Sequence, residues 1–284
     1  MPGSRFLARV HEISHKAKLV DVAIAIYDYE KKLHFSYQGD RVFHAASTYK
    51  AAILFALFRA AQSQRVKLED RLHVRNRFIS IVDGSSYKIE RDRDGDASVH
   101  KSVGRAMRLV DLAHAMITRS SNLATNLLLD HLGVEYIQTA LAEAGVSGID
   151  VRRGVEDGPA YEKGINNDAT ADGLLKLFRV FEERTHLDAD YAQPAIEILL
   201  AQEFNSMIPA RLPNGTKVAH KTGEISTFCH DAGIVYPPDR KPYVIAILTE
   251  TGPETERRNR AVADLSHAAH RFVCGMHREE KAHE

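Results

Sequence analysis

VAHKTGEISTFCHDAGIVYPPDRKPYVIAILTE, residues 218–250, is the stretch that decides the fold. Its segments VAHKTG (218–223), DAGIVYP (231–237) and PYVIAILTE (242–250) are rich in β-branched and apolar residues, and Pro238 to Lys241 supplies a turn, so they read as antiparallel strands. A helical pattern, ETERRNRAVADLSHAAHRFVCGMH (254–277), closes the chain. At the other end, residues 5–18 carry helical spacing, and LVDVAIAIYD (19–28), a polar turn at Glu30 to Lys32 and LHFSYQG (33–39) read as a β-hairpin. From Ala45 to about Gly148 the pattern is mainly helical. AAILFALFRAAQ (51–62) is its most apolar segment, and LVDLAHAMITR (109–119) and LATNLLLDHLG (123–133) follow, the last stopped by Gly133.

Strands at both ends with helices between them predict an α/β (α+β) architecture: one mixed antiparallel sheet uniting the two ends of the chain, flanked by helices, with an all-helical lobe inserted. The expected division is 1–44 with 199–284 as the α/β lobe and 45–198 as the helical lobe of one interleaved catalytic domain. A cleft between lobes is where a site is expected. The polar stretch 76–105 reads as a long loop or small hairpin, of a length more often functional or disordered than neutral.

The chain has 284 residues, with 38 basic and 38 acidic side chains, so it carries no electrostatic footprint for nucleic acid or an acidic membrane. No apolar run approaches the roughly 20 residues of a bilayer span. MPGSRFLARV is followed by HEISHKAKL and by no apolar core, which is not a secretory signal; the sequence as it stands reads as cytoplasmic, or as exported if a signal was trimmed. The two cysteines, Cys229 and Cys274, make no disulfide framework and are expected as free thiols. A monomer without cofactor or metal is expected.

Ser-x-x-Lys occurs three times, at Ser47/Lys50, Ser85/Lys88 and Ser98/Lys101. Only Ser47 opens a strongly apolar helix, where Lys50 lies one turn on with its amine in reach of the serine oxygen. A serine hydroxyl needs a base to become nucleophilic, and a lysine serves when burial keeps it neutral. Two further groups follow: Ser120-Ser121-Asn122 between two helices, and Lys221-Thr222-Gly223 on a strand, where Lys and Thr can hold a carboxylate and Gly lets a ligand approach. Each has a bland reading alone, as a helix cap or an edge strand with a solvated lysine. The three in this order, on helix, loop and strand, are hard to obtain by chance.

Ser47-Thr48-Tyr49-Lys50, Ser120-Ser121-Asn122 and Lys221-Thr222-Gly223 together resemble the three-motif signature of the penicillin-recognising serine hydrolases, most of all class A β-lactamases. The resemblance covers most of the chain. It implies Ser47 as the acylated nucleophile, Lys50 as proton shuttle and Ser120 as relay to the leaving nitrogen. It further implies Asn122 as a substrate amide contact, Lys221 and Thr222 as carboxylate anchors, and the N–H groups of Ser47 and Glu224 as the oxyanion hole. The implied substrate is a small β-lactam or a peptidoglycan-like peptide. Two departures stand out. Ser121 replaces the family's usual Asp, and the family's E-x-x-L-N loop corresponds to RRGVEDGPAYEKGINNDATA (152–171), where Glu156 is the candidate deacylating base but Ala160 stands four residues on. Asn166 or Asn167 is the candidate for the missing amide. If Glu156 were a plain surface carboxylate, acylation would proceed with slow hydrolysis. The alternatives to β-lactam hydrolysis are therefore a D,D-peptidase or esterase of the same fold, or a penicillin-binding sensor without turnover.

The stretch RFISIVDGSSYKIERDRDGDASVHK (77–101) is longer than class A enzymes carry there and is expected to overhang the cleft. Within it, Asp92 to Asp96 has a misplaced Gly and Val103 at the twelfth position, so it reads as a solvated turn and not a calcium loop. His11-Glu12-Ile13-Ser14-His15 matches the zinc motif H-E-x-x-H, but on a short terminal helix without a marked third ligand, and reads as ordinary surface helix.

Overall fold

A computed structural model describes residues 2–252 and 258–275. Its centre is a five-stranded antiparallel sheet of β1 (Leu19–Asp28), β2 (Leu33–Tyr37), β3 (Lys217–Ile225), β4 (Phe228–Tyr236) and β5 (Tyr243–Thr251), in the order β3-β4-β5-β1-β2. The two ends of the chain meet between β1 and β5, with Ile24 opposite Ile247. This is the mixed helix-and-antiparallel-sheet fold expected from the sequence. β3 is an edge strand, and this edge carries the Lys221-Thr222-Gly223 motif.

Alternation explains why the sheet is covered on both faces. On β1, Val22, Ile24 and Ile26 point to one core, with helices α1 (Pro2–Lys16) and α8 (Arg258–Cys274), while Ala23 and Ala25 point to the other. The expected closing helix at 254–277 thus corresponds to α8, and its positions 254–257, 276 and 277 lie outside the described residues. The second core joins the sheet to α2 (Lys50–Gln62), α3 (Leu109–Thr118), α4 (Asn122–Leu132), α5 (Val134–Glu143), α6 (Ala171–Glu183) and α7 (Ala189–Leu200). Every side chain of α2 from Lys50 to Phe58 is fully buried, so this helix is the axle of the helical part. Each buried Leu, Ile or Phe contributes about 1.5–3 kcal/mol. α6 falls within the expected helical lobe yet packs on β1, β4 and β5, and one continuous core links the two lobes.

Short strands also occur between the two ends of the chain, within the part whose pattern is mainly helical and just beyond it. Phe43–His44 and Ile149–Asp150 pair with Asp168–Ala169, and Arg71–His73 pairs with Ala106–Arg108. These pieces are two or three residues long, too short to show a period in sequence. The 76–105 stretch contains the hairpin Phe78–Ile79/Ser86–Tyr87, a single 3-10 turn at Arg91–Arg93 and one helical turn at Ala97–His100.

Candidate active site

The residues before α2 form a tightened entry turn: the Thr48 N–H donates to Ala45 O at 3.0 Å and the Lys50 N–H to Ser47 O at 3.2 Å. Ala46 adopts a left-handed φ of 48°, which re-aims the chain into this turn. Ser47 is left partly exposed, and its N–H has no acceptor among the described residues. Edge strand β3 lies directly against it. A Cβ on Gly223 would stand 2.9 Å from both Ser47 N and Thr48 N. The glycine is therefore required by the close approach of the protein's own backbone, where the sequence suggested room for a ligand. Glu224 follows at the exposed end of the strand, its carboxylate paired with Arg258 at 2.6 Å.

Lys50 is fully buried, and its Nζ lies 2.8 Å from Ser120 O, 2.8 Å from Asn122 Oδ1 and 3.0 Å from Ser120 Oγ. The sequence placed this amine against the Ser47 oxygen; its hydrogen bonds instead cross to the α3–α4 turn. The reason is local: Ser47 precedes the helix in a tighter turn, while Lys50 is its first residue and points into the lobe. Ser120 makes this reception possible by a left-handed φ of 58°, which presents both its carbonyl and its hydroxyl to the lysine. Lys221 comes from the opposite side, with Nζ 3.3 Å from Ser120 Oγ and donating to Thr222 O at 2.9 Å. Ser121 caps α4, its Oγ accepting from the Ala124 N–H at 3.2 Å, so the middle residue of the second motif is a helix cap.

Burial sets the electrostatics. It drives the Lys50 pKa well below the ordinary lysine range, Lys221's charge pushes the same way, and Asp94 opposes. Lys221 is lowered by burial to about 7, against the opposing pull of Asp231. Asp231 itself is fully buried, 2.9 Å from His220 Nδ1 and accepting from the Ile208 N–H at 3.0 Å.

Two cavities flank Ser47. One of about 220 Å³ is lined by Ser47, Ser120, Phe204, Thr222 and Glu224. The other, about 700 Å³, includes Ser47, Asn122, Arg153, Glu156 and Tyr161 in its lining. Lys88, Glu90 and Arg93 also line it, so the 76–105 stretch does border the cleft. Glu156 has a left-handed φ of 62° and stands 3.9 Å from Arg93 Nε; its side chain bonds to neither Lys50 nor Ser47. The candidate amides are committed elsewhere. Asn167 accepts from the N–H groups of Arg152 and Arg153 and donates to Arg153 O, and Asn166 accepts from the Arg153 guanidinium.

Other contributors escaped sequence reading. Asn126 clamps the backbone of Val155, accepting from its N–H at 2.7 Å and donating to its carbonyl at 3.0 Å, and so fixes the residue before Glu156. The spacing of Asn126 four residues after Asn122 was the available signal. The Asp92 to Asp96 segment is only in part the solvated turn expected: Asp92, Arg93 and Gly95 are exposed, and two of its carboxylates are not. The Asp94 side chain is 0% exposed and that of Asp96 is 5% exposed, because both pack onto the Arg119–Leu123 turn. On α1, His11 bonds Tyr37 Oη at 3.1 Å and Glu12 pairs with Arg9 at 2.7 Å. Cys229 is buried and Cys274 partly buried, both as free thiols.

A partly exposed serine at a helix entry, a fully buried lysine and a partly buried serine behind it and an edge strand beside it form the arrangement of a serine hydrolase of the acyl-transfer kind. The model of the Beta-lactamase enzyme family matches residues 5–273. Beta-lactamase 3 of Bacillus cereus is 27% identical over 265 residues, 91% of this chain and 79% of that protein. The extended-spectrum beta-lactamase PER-1 of Pseudomonas aeruginosa is 26% identical over 171 residues, which span 55% of this chain and about half, 54%, of that relative. The fold is shared with the crystal structure of a beta-lactamase from Sphaerobacter thermophilus, at TM-score 0.80 and 24% identity, covering 95% of this chain and 97% of that one. The chain belongs to the beta-lactamase enzyme family, and it is a hydrolase of the serine β-lactamase type.

Proposed function

We propose that the chain opens β-lactam amides through an acyl-ester on Ser47. The observation that carries the assignment is the position of Ser120 Oγ between two buried lysines, 3.0 Å from Lys50 and 3.3 Å from Lys221. A neutral Lys50 amine has two N–H donors, which match Ser120 O and Asn122 Oδ1, and keeps a lone pair to receive a proton. In acylation the Ser47 hydroxyl proton passes to Lys50 while Oγ bonds to the lactam carbonyl carbon. The developing oxyanion is met by the N–H groups of Ser47 and Glu224. As the C–N bond breaks, Ser120 gives its proton to the ring nitrogen and recovers one from Lys50. Lys221 and Thr222 hold the substrate carboxylate, and Asn122 holds its side-chain amide.

Deacylation requires a base on the other side of the ester, and Glu156, in the larger cavity with Ser47, is the group assigned to it. It takes a proton from water; the hydroxide bonds to the ester carbonyl, the C–O bond to Ser47 breaks, and the proton returns to Ser47. The substrate is a small β-lactam bound by a single protomer. The test is Glu156→Gln followed by intact-mass spectrometry with a penicillin. The expected result is unchanged adduct formation and slowed release. A variant that releases as fast as wild type removes Glu156 from the mechanism, and a wild type that holds its adduct indefinitely indicates a penicillin-binding protein without turnover.

A further inference from the structure

The second motif lacks the acid its family carries at the position of Ser121, yet a buried carboxylate lies at this turn. It is Asp94, contributed from the 76–105 stretch. Its Oδ1 accepts from the Asn122 N–H at 2.7 Å and its Oδ2 from the Leu123 N–H at 3.0 Å, with Ser121 Oγ at 3.4 Å. His100 Nε2 closes the shell at 2.9 Å, and the Asp96 N–H donates to Oδ1 at 3.2 Å. Asp96 holds the other end of the same turn through Arg119 Nε at 2.8 Å. Between them Gly95 presses backbone on backbone: a Cβ there would lie 2.4 Å from Arg119 O and 3.3 Å from Ser120 O. The three residues form a wedge against the left-handed Ser120, whose carbonyl and hydroxyl both face Lys50.

We propose that Asp94 is a positioning residue for acylation: it supplies, from a distant segment, the carboxylate missing from the second motif, and thereby fixes Ser120 and Asn122 where Lys50 meets them. The physical basis is a fully buried anion at the N-terminus of α4, accepting two backbone N–H groups that would otherwise be orphaned. A polar group of this kind sets its neighbours within tenths of an ångström, and a misplacement on the order of 1 Å costs about 10²-fold in rate. The 76–105 stretch is then part of the catalytic machinery as well as a wall of the cleft.

The inference rests on the reading that Ser47 is acylated, and two probes separate the two claims: benzylpenicillin for the substrate and a fluorophosphonate for the activated serine alone. Wild type, Asp94→Asn, Asp94→Asn/Ser121→Asp and the surface control Asp92→Asn are compared. Asp94→Asn is expected to slow acylation of Ser47 by roughly 10- to 100-fold with both probes. Moving the carboxylate into the motif with Ser121→Asp is expected to restore the rate to within about threefold of wild type, and Asp92→Asn is expected to react as wild type. An unchanged rate in Asp94→Asn, or a loss that Ser121→Asp does not recover, overturns the proposal. Labelling by fluorophosphonate that follows this pattern without any penicillin adduct supports the Asp94 role and refutes the β-lactam substrate. Failure of wild type to react with either probe refutes both.

Discussion

Lys50 is bonded to two obligate acceptors and one hydroxyl, a set that a neutral amine satisfies with its two N–H groups on the acceptors and its lone pair, the proton-accepting site, toward the Ser120 hydroxyl. Lys50→Ala removes the proton acceptor and leaves Ser120 O and Asn122 Oδ1 facing a void. Acylation should fall by roughly 10²–10⁴-fold, the range a positioned base contributes, read as the rate of penicillin adduct formation. Lys50→Arg should not rescue it, since guanidinium stays protonated. Gly223→Ala tests the backbone approach. The new methyl would stand 2.9 Å from two amide nitrogens that have no freedom to yield, so β3 must move away from Ser47. Turnover should drop on the order of 10²-fold, with the melting temperature showing whether the sheet still closes. Lys221→Ala should raise KM for a penicillin about 10- to 100-fold, the worth of a charge-assisted hydrogen bond, and far less for its methyl ester. An equal effect on both would remove Lys221 from carboxylate binding.

The sheet element behind the site has its own pH response. On β4, His230 faces Gly223 across the ladder, donates from Nε2 to His44 O at 2.9 Å and accepts the Thr249 N–H on Nδ1 at 3.1 Å. Both nitrogens are thus committed in the neutral form, and burial lowers its pKa from 6.5 to about 4. His270 on α8 is also lowered to about 4, by burial first and then by the charges of His267 and Arg240. In the unfolded chain each takes its proton near pH 6.5, so the stabilisation is fully present above that pH and is lost as pH falls through about 4. The contribution of His230 is about 3 kcal/mol. Denaturant melts at pH 7, 5 and 4 should show this loss, and a variant replacing His230 by Gln should show a shallower decline. Elements of this size were legible in the sequence because strands of nine or ten residues and an apolar helix carry their period openly. Ser47, Ser120 and Lys221 were legible for the same reason, each standing at the edge of a recognisable element. Asp94 and Asn126 were not. Their partners lie across a turn 28 or 29 residues away, and nothing local distinguishes a buried Asp in DRDGD from a solvated one.

At the scale of the whole molecule, the chain ends build the sheet, the middle builds the helical part, and the three motifs meet where β3, the entry to α2 and the α3–α4 turn converge. In the proposed mechanism each lobe supplies what the other lacks: the helical part the nucleophile and its base, the sheet edge the anchor and one oxyanion donor. This division explains why isolated motif residues look ordinary in sequence and become a site only after folding. The central claim is an acyl-serine at Ser47, and it is tested most directly by intact-protein mass spectrometry after mixing with a penicillin. Wild type and Ser47→Ala are compared, alongside a chromogenic cephalosporin assay with and without a chelator. The account predicts a transient adduct of one penicillin mass on wild type, none on Ser47→Ala, and turnover that requires Ser47 and ignores the chelator. An adduct or turnover that survives in Ser47→Ala, or a wild type that neither binds covalently nor turns over, would contradict it.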